Sequence, residues 1–206
     1  AEFLKQEFRG VRSGRASVLG EFIDHWFDGF AIPLMIFGYC IALSVPATVQ
    51  IVYVIIAGSA FITTFWEQCR TRRLVFGALG QTEALLLIVG VYLVVAVVGA
   101  ESWTAPLVGS ASVATLVMAA FAVYPVLSVV ATVRRVPHRE DLIPHTVLTL
   151  AVVGWHELGD LPVLWATSVI VLLSAYHGIR LVVARVLGRS PAMLDLPLGA
   201  LIVGGT

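Results

Sequence analysis

Asp24 and Asp28, in the stretch LGEFIDHWFD at residues 19–28, stand four residues apart at the edge of a long apolar run. With Gly20 they fall at i, i+4 and i+8, so on a helix the three stack along one face. Two carboxylates about 6 Å apart repel, and the cost rises as the surroundings lose water. Two kinds of neighbour would offset it. A divalent cation takes hard carboxylate oxygens and bridges them to phosphates. Arginines from Arg12, Arg15 or Arg73 would do the same as plain ion pairs, with no chemistry attached. Spacing alone leaves both open.

The elements that must carry this pair are membrane-spanning. Of 206 residues 59% are hydrophobic and only 13% charged, with mean hydropathy +0.94, far from a soluble domain in which about a quarter of residues are charged. The composition predicts an all-α integral membrane protein, one helical domain over residues 1–206, with no nucleic-acid partner implied by a net charge of +0. Runs long enough for a hydrocarbon core of about 30 Å fall at 22–44, 47–66, 82–100, 107–133, 142–157 and 162–184. The fifth is short, which leaves a crossing or a buried re-entrant segment.

Charge placement favours a crossing. The basic residues form four clusters, at Lys5 to Arg15, Arg70 to Arg73, Arg134 to Arg139 and Arg180 to Arg189. Six crossings put all four on one side, the inner side by the positive-inside rule, so both termini are expected inside. The opposite loops carry Glu101, Glu157 and Asp160 and no basic residue. Residues 1–15, with Leu4, Phe8 and Val11 on one face, read as an interfacial amphipathic helix or as a frayed basic tail. The charged opening AEFLKQEFRG is not the pattern of a signal peptide.

Other groups could also carry a site. Glu67 and Glu83 fall at the inner ends of the second and third runs, level with the Asp pair and with Arg73. They would line a polar pocket whose arginines hold a lipid or nucleotide phosphate, or form a charge network that fixes helix ends. His156, Glu157 and Asp160 make a weak metal signal in a short loop, with a solvated loop as the plainer reading. His177 and Arg180, three residues apart, suit packing or snorkelling. Cys40 and Cys69 should lie most of a bilayer apart as buried free thiols. The five tryptophans fall near span ends, as interfacial anchors would. The small residues of GSASVATLVMAA, 109–120, suit close helix contact.

The spacing Gly20-x3-Asp24-x3-Asp28 resembles the second half of the CDP-alcohol phosphotransferase signature, Asp-x2-Asp-Gly-x2-Ala-Arg-x8-Gly-x3-Asp-x3-Asp. SVLGEFIDHWFD is similar to SPLGELFDHGCD of the choline and ethanolamine phosphotransferase branch. Residues 65–99 resemble a second segment of that branch, with Trp66, Phe76, Gly77, Thr82 and Glu83 in register. The resemblance covers about residues 17–100. It implies transfer of a phospho-alcohol from a CDP-alcohol to diacylglycerol, with Asp24 a ligand of Mg²⁺ or Mn²⁺ and Asp28 a metal ligand and the base. Glu67, Arg73 and Glu83 would then hold the nucleotide. The first half of the signature should fall at residues 6–11, where the chain reads QEFRGV. Two of four carboxylates are therefore missing, and a two-acid site leaves most of a cation's ligation to water.

Two expectations follow. One is a phosphotransferase of an organelle membrane such as the endoplasmic reticulum or mitochondrial inner membrane, impaired unless another chain completes it. The other is a catalytically inactive, lipid-contacting subunit of a larger membrane complex, or a homodimer.

Overall fold

The structure, a computed structural model, describes residues 18–73, 81–109, 111–190 and 204. The chain is mostly helical: α1 (Val18–Ala42), α2 (Ala47–Thr71), α3 (Gln81–Val98), short α4 (Ala100–Thr104), α5 (Val113–Arg135), α6 (Ile143–Leu158) and α7 (Val163–Val186). Each of the six expected apolar runs lies mainly on one helix. Among the described residues three of them, α2, α5 and α7, are long and apolar enough to cross a membrane; the apolar parts of α1 and α3, Trp26–Ala42 and Leu85–Val98, are shorter. The expected interfacial segment, residues 1–15, lies outside the described residues, as do Arg12, Arg15 and the side chain of Asp24.

One boundary moves. The fourth run was expected from residue 107, but residues 106–112 form a small antiparallel hairpin, β1 (Pro106–Val108) with β2 (Ala111–Ser112). Helix α5 starts only after Ser112, whose hydroxyl accepts from Thr115 N at 3.2 Å. Pro106 lacks an N–H, Gly109 takes a positive φ of 59°, and Ser112 is a preferred N-cap, so the polar and breaker residues override the apolar count.

Helix α2 lies at the centre, packed most extensively on α7 and next on α5; α7 also receives α1 and α6. Close approach depends on glycine. A Cβ added at Gly58 of α2 would collide with Ser174 Oγ of α7, and one at Gly178 of α7 with the ring of Phe61 of α2. Without a hydrophobic drive between helices in lipid, such backbone proximity and packing are what hold them together. The hydroxyls buried along this seam turn back onto their own helices: Thr63 donates to Ser59 O at 2.8 Å, Thr167 to Val163 O at 2.7 Å and Ser174 to Ile170 O at 2.9 Å. That leaves no buried hydroxyl of the three without an acceptor.

At one end α1, α3, α4 and α5 enclose an apolar cluster with Tyr39, Cys40, Leu43 and Trp103. Tyr39 donates to Ala114 O at 3.3 Å and Tyr92 to Met35 O at 2.6 Å. Cys40 and Cys69 are both buried and free, on different clusters, as expected of them.

Candidate functional site: a charge-clamped helix end

Helices α2, α5 and α7 finish at the same end of the molecule. Contacts join it together: Arg70 of α2 to Asp141, Arg135 of α5 to Glu67, and Arg72 to the carbonyl of Arg185 on α7. Helix C-termini present carbonyls with no intrahelical donor, so arginine at these positions is locally favoured. Arg72 ends α2 in the left-handed conformation, φ 58°, its N–H capping Gln68 O.

Glu67 is buried, its side chain 3% exposed. Its two oxygens accept Arg135 Nε and Nη2, each at 2.7 Å, with Thr132 Oγ1 at 3.5 Å from the second. The fork-to-fork geometry is the strong form of such a pair. Glu67 is thereby tied to α5 through both of its oxygens.

The second clamp is Asp141, in the 3₁₀ turn Arg139–Leu142. Its carboxylate accepts Arg70 Nε and Nη2, both at 2.6 Å, and the indole N–H of Trp66 at 2.9 Å. Trp66 is therefore no interfacial anchor: it is wholly buried, 0% exposed, because Asp141 satisfies its only donor. Outside the helices, the exposed Glu140 carboxyl is held below its ordinary range, first by its own backbone N–H and then by His138 at 2.9 Å.

Of the expected site residues, Asp28, Glu67, Arg73 and Glu83 lie among the described side chains and Asp24 does not. Asp28 is half-buried on α1 and not without a partner. Glu83 is exposed at the start of α3, and Arg73 is exposed just past α2. No hydrogen bond or ion pair joins Glu67 to Asp28, Arg73 or Glu83. Among the described residues, which leave out the side chain of Asp24, no three His, Cys, Asp or Glu side chains gather as metal ligands. The cavity among Tyr39, Tyr53, Met118 and Phe121 lies towards the other end and is apolar, about 20 Å³, room for one water rather than a nucleotide.

Elsewhere, His156 donates to Leu161 O at 2.5 Å and so closes its own loop, while Glu157 and Asp160 are exposed. Arg180 reaches back to Tyr176, Nη1 to Oη 3.2 Å, with its guanidinium 5.5 Å from the ring centroid. His177 is fully buried, with Nδ1 3.3 Å from Nδ1 of His145 on α6 and 3.0 Å from Leu173 O. A carbonyl only accepts, so His177 Nδ1 carries the hydrogen, and the same N–H points at the lone pair of His145 Nδ1. This polar tie between α6 and α7 had no signature in spacing.

Set against protein-family models, curated proteins and solved structures, the chain matches none. The likeness to CDP-alcohol phosphotransferases rests on the residues quoted above.

Proposed function

We propose that the chain is a membrane scaffold of CDP-alcohol phosphotransferase type that does not transfer phospho-alcohols by itself and serves as a structural, lipid-contacting subunit of a larger membrane assembly in an organelle. The observation that carries this reading is the commitment of Glu67 to Arg135 and of Asp141 to Arg70, charges spent on holding helices. The sequence QEFRGV at residues 6–11, in place of the acidic half-signature, supports it from the other side. In this reading the six helices all cross, both termini lie inside, and the arginine-rich helix ends face the inner leaflet.

A second reading is favoured by one feature, the placement of Asp24 and Asp28 four residues apart on α1. A partner chain carrying the missing acids would complete a transferase. Asp28 would then take the proton of the diacylglycerol hydroxyl as its oxygen attacks the phosphorus of the phospho-alcohol and CMP leaves.

CMP release separates the two. The chain, purified alone and again with the partners it retains from native membranes, is given CDP-choline or CDP-ethanolamine, diacylglycerol and Mg²⁺, each beside an Asp28→Asn control. The scaffold reading expects no release above the control. Release that disappears in the control would overturn it and establish the transferase.

A further inference from the structure

We propose that the rim of arginines around the ends of α2, α5 and α7 is a binding surface for phosphate groups, and that its ligands are the headgroups of anionic phospholipids. The inference rests on the membrane placement given above, not on the absence of catalysis. Every carboxylate of the clamp is already taken: Glu67 by Arg135, Asp141 by Arg70 and Glu140 by His138. Arg72, Arg73, Arg134, Arg139 and Arg189 are all exposed and have no carboxylate partner among the described residues. Against this surplus stands the exposed Glu83 at the start of α3.

Two of these arginines are also held in place. Arg72 Nη1 donates to Arg185 O at 2.6 Å and Arg139 Nε to Val133 O at 2.8 Å. Each answers the carbonyl end of a neighbouring helix with one of five N–H groups, which leaves the rest of a planar fork suited to phosphate oxygens. The rim lies where three apolar helices stop, which is headgroup level for a chain embedded in lipid, and there each arginine near an anionic surface adds to the attraction.

The test uses the delipidated full chain in detergent. Native mass spectrometry follows retention of phosphatidylglycerol and of phosphatidylcholine, with sodium phosphate as competitor. The expected result is at least about thirtyfold preference for phosphatidylglycerol, shrinking with salt and unmoved by millimolar phosphate. Arg73→Gln with Arg134→Gln, side chains that make no bond to the other described residues, should lower the preference about fivefold per arginine with unchanged thermal unfolding. Equal retention of the two lipids, or an unchanged preference in that variant, would overturn the proposal. Displacement by phosphate would reassign the rim to a soluble ligand and overturn it as a lipid site. CMP release is a separate readout, so either reading can fail without the other.

Discussion

Helices α7 and α5 are of nearly equal length, yet 56% of the most apolar stretch of α7 is buried inside the molecule and only 11% of that of α5. The difference runs against hydropathy, since α5 is the more apolar of the two. In water the more apolar helix would be drawn to the centre. Here the centre holds Glu67, Gln68, Thr167, Ser174 and His177 on α2 and α7, while Val123, Leu127 and Val130 of α5 lie outside. This inversion is what a lipid solvent favours: apolar surface costs nothing to leave outside, and polar groups must find partners inside.

The largest test of that contrast is truncation of a buried aromatic. Trp66→Ala should destabilise the chain by about 3 kcal/mol in detergent unfolding, because it removes a wholly enclosed ring and a donor to Asp141. Trp165→Ala, 61% exposed, serves as its comparison and should cost under about 0.5 kcal/mol. Next comes the seam itself. Gly178→Val, pushing into Phe61, should cost about 1–3 kcal/mol, read as a fall in the unfolding midpoint. Tyr92→Phe removes the hydroxyl that ties α3 to Met35 O, and about 1 kcal/mol should be lost. The smallest effect belongs to the outer helix. Leu127→Ala, 62% exposed on α5, should change stability by less than about 0.5 kcal/mol; a loss like that of Trp66→Ala would erase the distinction between the enclosed positions of the centre and the outward face of α5.

Much of this was legible in the sequence. Apolar runs locate the helices because length and composition are local properties, and the hairpin at 106–112 escaped only because Leu107 and Val108 extend the apolar count past Pro106. Partner choice was not legible. Glu67 pairs with an arginine 68 residues away and Arg70 with an aspartate 71 away, selections made by how α2 packs, not by spacing. The level of Glu67 near the inner arginines was readable, and so was a charge network as one of its two meanings. The burial of Trp66 was hidden, since the same residue at a helix end anchors to the interface unless a buried acceptor meets it, and that acceptor, Asp141, lies on a distant turn.

The claim that the acids of this end hold helices together is tested most directly by a double-mutant cycle on Glu67→Gln and Arg135→Gln, measured by reversible unfolding in detergent. The account predicts a coupling of at least about 1 kcal/mol between the two sites, above the usual scatter of independent mutations. Additivity within about 0.3 kcal/mol would contradict it, and Glu67 would again be a carboxylate available for a ligand.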